Sequence, residues 1–177
     1  MEIAVTVYEK MKANTKGNFT NSELFLENGG HITKQQIKRF NYIKDNKASF
    51  QQYFKKFHKK AYDNLSSLTI DNCDFVIKYE NIAEDYLVAL KKAGVSNPQP
   101  LPVANKTAGK KNDLLAYYTN DIKEISAAVF GPFLEKYNYS FPKKWGKIKV
   151  PLKSRLEFLI LGVLRKINRK YFKKNTE

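Results

Sequence analysis

The stretch that most constrains this chain is residues 74–85, DFVIKYENIAED. Residues 75–77 are a continuous apolar run, the pattern of a strand covered on both faces. Asn81 follows as a helix N-cap, and Glu84, three residues on, completes a capping box. Ile82, Tyr86, Leu87 and Leu90 give that helix an apolar face, which stops at Gly94. A strand that turns directly into a capped helix is the unit of an α/β fold. The pattern predicts a buried strand over residues 74–79 and a helix over residues 82–93.

Most of the remaining chain reads as helix. Ile3, Val7 and Met11 set one face of a helix over residues 2–13. A turn at residues 15–18 leads to Thr20, an N-cap with Glu23 in capping-box position, and the short helix it opens ends at Asn28-Gly29-Gly30. Thr33 caps a helix running to Asp45, with Ile37, Phe40 and Ile43 as its stripe. A longer helix is expected over residues 48–65, with Phe50, Phe54, Phe57 and Ala61 inward and Lys55, Lys56, Lys59 and Lys60 in water. Residues 95–112, with three prolines and Gly109, form a long loop of the kind that often carries function. Thr119 caps a helix over residues 120–137, in which Pro132 predicts a kink or break. A basic linker, residues 143–149, precedes a last helix over residues 152–172.

The chain carries 32 basic against 17 acidic residues, a formal net charge of +15, and a field of that sign attracts anions. Its 177 residues suffice for one domain with a sizeable core. Cys73 is the single cysteine, so no intrachain disulfide forms, and its place beside an apolar run predicts a small core residue. His31 and His58 lie apart with no metal-ligand pattern around either, and no metal is expected. No early apolar segment follows the pattern of a signal peptide, and no stretch is long and apolar enough to span a bilayer. The expected location is cytoplasmic or membrane-peripheral.

Three runs occur in order: DFVIKYENIAED, LPVANKTAGKK at residues 101–111, and YYTNDIKEI at residues 117–125. In that order they resemble the C-terminal part of a PAPS-dependent sulfotransferase, of the carbohydrate-modifying or family-2 type, over residues 74–142. The resemblance implies a mainly α chain with at least one buried strand, the C-terminal portion of an α/β, P-loop-like sulfotransferase fold. It implies sulfonate transfer from PAPS to a hydroxyl of a carbohydrate-like acceptor. It places Lys106, Thr107, Gly109 and Lys110 in the loop that closes over the 3′-phosphate end of the donor. Lysines neutralise phosphate, Gly109 admits backbone N–H groups and Thr107 donates a hydrogen bond. The bland alternative for those four is a solvated polar loop. The early phosphosulfate-binding loop of that family has no counterpart before residue 74, so the donor-binding part is expected to be missing, and the resemblance names no catalytic residue here. The division expected is a partial sulfotransferase-like domain, residues 1–142, followed by the linker and terminal helix, residues 143–177.

That terminal helix lies outside the resemblance. Leu156, Leu159, Ile160, Val163, Leu164 and Ile167 form an apolar stripe, and basic residues crowd residues 165–174. Such a helix either docks on the protein core or lies on an anionic membrane through residues 152–174. The rival to an enzyme is thus a non-catalytic basic module binding nucleic acid or an anionic membrane surface. Nucleic acid is the weaker partner, because the aromatics of residues 50–62 fall at core spacing.

Overall fold

A computed structural model describes residues 1–21, 23, 32–63, 70, 73–102 and 113–172, the side chains of residues 170 and 172 excepted. Among these residues there is helix, turn and coil but no strand. The helices are α1 (Glu2–Ala13), α2 (Lys34–Asp45), α3 (Phe50–Phe57), α4 (Ile82–Lys92), α5 (Lys123–Lys136) and α6 (Leu152–Phe172). Short 3₁₀ turns occupy Tyr79–Asn81, Leu114–Ala116, Asn120–Ile122 and Lys143–Trp145. The chain divides into two units, one of Met1–Tyr62 with Thr107–Leu161, the other of Asp63–Lys106 with Gly162–Glu177.

The first unit is built on rings. Tyr8 of α1, Phe50, Tyr53 and Phe54 of α3, Tyr117, Tyr118, Phe130 of α5 and Trp145 are all buried in one cluster. Their rings meet at centroid separations such as 5.0 Å for Phe50–Tyr118 and 5.5 Å for Tyr8–Phe50, both edge-on. Edge-to-face packing of this kind adds to the area each ring buries. Two of the cluster's tyrosine hydroxyls find backbone acceptors, while that of Tyr53 is buried without a hydrogen-bond partner. Tyr8 donates to the Ala48 carbonyl at 2.8 Å and Tyr118 to the Met1 carbonyl at 2.9 Å. Burial pushes the Tyr8 hydroxyl up to about 12 and raises Tyr118 as well.

Two capping boxes set the entry of α2 and α3. Thr33 caps α2 as predicted, with Gln36 completing the box, and Ser49 and Gln52 cap α3. The helix expected over residues 48–65 therefore starts at Phe50, and it stops early, at His58. The inward face of α1 is Ala4, Val5, Tyr8 and Met11, and Ile3 is left exposed, a rotation of the face expected from Ile3, Val7 and Met11. The Thr20 hydroxyl donates to the Gly17 carbonyl at 3.0 Å, and the Glu23 N–H expected to meet it goes to Asn21 Oδ1 at 3.1 Å. The stop at residues 28–30 lies outside the described residues. α5 runs through Pro132 without a break. The missing proline N–H leaves one carbonyl of the preceding turn without its helical donor.

The α/β expectation is wrong. Residues 75–78 are coil, Val76 and Ile77 are exposed, and a 3₁₀ turn begins at Tyr79. The physical reason is the absence of a partner. A strand is stabilised by cross-strand pairing, and with no second strand among the described residues these three apolar residues have no ladder to join there. The Lys78 N–H goes instead to the Asp85 carboxylate at 2.9 Å. α4 does follow as predicted, and Gly94 takes a left-handed φ of 82° at its end, but Asn81 makes no side-chain cap. No residue of α4 is buried. With the strand goes the structural support for an α/β, P-loop-like sulfotransferase fold.

Candidate functional site

α6 is the element whose chemistry is left open by the packing. The helix turns about 100° per residue. On that wheel Leu152, Leu156, Leu159, Ile160, Val163, Leu164, Ile167 and Tyr171 share an arc of about 140°. All eight are exposed, Leu159 at 63% and Ile160 at 60%. The stripe expected either to dock or to meet a membrane is thus uncovered. The helix is anchored by its other side, where Ser154 and Phe158 are buried. Phe158 meets the Phe133 ring edge-on at 6.4 Å. Arg155 reaches Glu135 of α5 with two nitrogens, at 2.8 and 3.0 Å, and Glu157 accepts the Ala61 N–H at 2.7 Å. Further along, Arg165 pairs with the buried carboxylate of Asp63 at 3.2 Å.

The exposed arc carries no acid. The only other positions in it are 153 and 170, both lysine, one near each end. Over its whole length α6 has six basic residues against one acid, Glu157. Its 21 residues span about 30 Å. Among the described residues no helix is long and apolar enough to cross a membrane.

The residues that the family resemblance singled out contribute little to this picture. Lys106, Thr107, Gly109 and Lys110 lie outside the described residues, as does His31. Cys73 is exposed, not the core residue expected. The lysines of α3 and its end are in water as predicted: Lys55 pairs with Asp121 at 2.9 Å, and Lys56 lies over the Tyr42 ring at 4.0 Å.

His58 is the one described histidine, and it is packed. Its ring stacks on Phe54 with centroids 4.5 Å apart, and Nδ1 is buried without a hydrogen-bond partner. Burial pushes its pKa down to about 4, and the Arg39 guanidinium adds to the shift. A neutral, half-enclosed imidazole against a ring is a structural part of the first unit. Among the described residues no group of His, Cys, Asp and Glu could hold a metal ion. Comparison of the chain with family models, with curated proteins and with solved structures returned no match.

Proposed function

We propose that this protein is a peripheral binder of anionic membrane surfaces, with α6 lying in the plane of the lipid headgroups. The observation that carries the reading is the arc of eight exposed apolar side chains on α6. A helix with such an arc and a basic remainder lowers its free energy by burying the arc at the boundary of headgroups and acyl chains. Complete burial of one Leu or Ile side chain contributes about 1.5–3 kcal/mol. These side chains are already partly covered by their own helix, so roughly 1 kcal/mol each is available, eight times over. A lysine near an anionic leaflet adds about 1 kcal/mol. Apolar contact therefore supplies most of the affinity, and the net charge of +15 selects an anionic surface over a neutral one.

Sulfonate transfer from PAPS to a carbohydrate-like acceptor rests on the three sequence runs alone. Its donor loop falls outside the described residues, so nothing in them favours it over the α6 surface. Nucleic-acid stacking is disfavoured by the burial of Phe50, Tyr53 and Phe54.

Co-sedimentation with vesicles tests the membrane reading. The chain should pellet with phosphatidylglycerol-rich vesicles and only weakly with phosphatidylcholine. Leu159→Glu combined with Val163→Glu should lower that binding at least tenfold and leave the fold intact, since both side chains face solvent. Equal sedimentation of the two chains refutes the reading. So does a double variant that turns a dimer into a monomer by light scattering while vesicle binding stays the same, because the stripe would then be a contact between copies.

A further inference from the structure

The α6 stripe carries a spacing that a membrane does not require. Leu156, Ile160, Val163 and Ile167 follow one another at intervals of four, three and four residues. That is the seam of helices that pack along one another, knob into hole. On the helical wheel these four occupy the middle of the exposed arc, and Leu152, Leu159, Leu164 and Tyr171 flank them. Together the eight leave roughly 800 Å² in water, whereas the largest apolar patch of a typical soluble monomer is about 300–600 Å². About 800 Å² is also what each partner gives to a standard protein–protein interface.

The charges on the two halves of the helix decide the direction of pairing. Arg165, Lys166, Arg169 and Lys170 stand in the second half. The first half holds Lys153, the one acid Glu157, and Arg155, whose charge already meets Glu135. A parallel pair of α6 helices sets the four basic positions of one copy against the same four of the other. An antiparallel pair sets them against the half that carries Glu157. It also brings the seam into register about a two-fold axis: Leu156 of one copy meets Ile167 of the other, and Ile160 meets Val163. Such a contact is closed, because one patch serves both copies.

We infer that in concentrated solution, away from lipid, the α6 stripe is covered by α6 of a second copy, antiparallel, with Leu156, Ile160, Val163 and Ile167 as the seam. The seam covers only about two heptads, short for a coiled coil, so the pair dissociates on dilution and dilute chains keep the stripe open. The contact regulates membrane binding, a consequence that rests on the reading of α6 as a membrane surface. Dimer and bilayer use the same eight side chains, so each excludes the other. Affinity for vesicles per chain therefore falls as the dimer forms.

Disulfide trapping tests the contact in the full chain, with Cys73→Ser removing the native thiol. Leu156→Cys and Ile167→Cys are made in separate chains. Along the helix the two positions lie about 16 Å apart. The antiparallel contact joins position 156 of one chain to position 167 of the other. It leaves like positions about 16 Å from each other, beyond the about 4.4–6.8 Å between Cα atoms that a disulfide spans. Under mild oxidation a mixture of the two chains should crosslink at least tenfold faster than either chain alone. Light scattering should find the parent dimeric when concentrated and monomeric on dilution, and the Leu159→Glu, Val163→Glu chain monomeric throughout. The crosslinked dimer should bind phosphatidylglycerol-rich vesicles at least tenfold more weakly than the same sample after reduction. Either chain crosslinking alone as fast as the mixture overturns the inference, and so does a crosslinked dimer that binds vesicles as well as the reduced chains. A parent that stays monomeric at every soluble concentration yet binds vesicles also overturns it and leaves the membrane reading standing. Crosslinking as expected by chains that ignore vesicles once reduced refutes the membrane reading and upholds the contact between copies.

Discussion

α3 and α6 are written in the same alphabet and end in opposite environments. Each has an apolar face at helical spacing and lysines elsewhere. In α3 the face is Phe50, Tyr53 and Phe54, and Tyr53 and Phe54 are fully buried. In α6 the longer face of eight side chains is uncovered, and the helix is held by Ser154, Phe158 and its ion pairs. Apolar periodicity thus identifies a face that water disfavours. It does not say what covers the face, because that depends on surface supplied by other elements.

Truncations on the two faces should differ most in their cost. Phe54→Ala removes a ring from the centre of the aromatic cluster and should cost about 3–5 kcal/mol in urea unfolding. Leu159→Ala and Ile160→Ala should each stay within about 0.5 kcal/mol of the parent. A loss of 2 kcal/mol or more at either α6 position, on the scale of buried Leu truncations, would show that the stripe is covered.

pH probes the buried end of α3. His58 titrates at about 4 in the folded chain against 6.5 when unfolded. The unfolded chain therefore binds the extra proton between those values, and stability is present above pH 6.5 and lost as pH falls toward 4. The loss should be about 2–3 kcal/mol. Unfolding free energies measured from pH 7 to pH 4 should show it, and His58→Gln should flatten that part of the curve. An unchanged slope in the variant would mean that other groups produce the acid sensitivity.

Glycine gives a matched pair. A Cβ on Gly131 of α5 would sit 2.8 Å from Val150 Cγ1 and closer still to Cγ2, whereas a Cβ on Gly162 of α6 meets nothing. Gly131→Ala should therefore destabilise by about 1–3 kcal/mol through overpacking. Gly162→Ala should stabilise by about 0.5–1 kcal/mol, since only the entropy of glycine in a helix changes. Thermal melts of the two variants should move in opposite directions. Movement in the same direction would remove the contrast between the packed and open sides.

Much of the helical content was legible. The Thr33 cap, the stop at Gly94 and the bounds of α6 follow from side-chain chemistry within four residues of the chain, and the structure has them. Where a reading needed distant partners it failed. The apolar run at residues 75–77 has the local pattern of a strand, and no described strand pairs with it. Cys73 was placed in the core by its neighbours in sequence, and it is exposed.

Where most helices begin and end, which of their faces are apolar, and the large positive charge are written in the residues themselves. Those properties come from propensity, capping and periodicity, which act over one or two turns. Packing between distant elements sets the rest: the rings of α3 are enclosed, and the leucines of α6 face outward. Both outcomes depend on which surfaces meet, and burial is a property of the pair of surfaces, not of either helix alone.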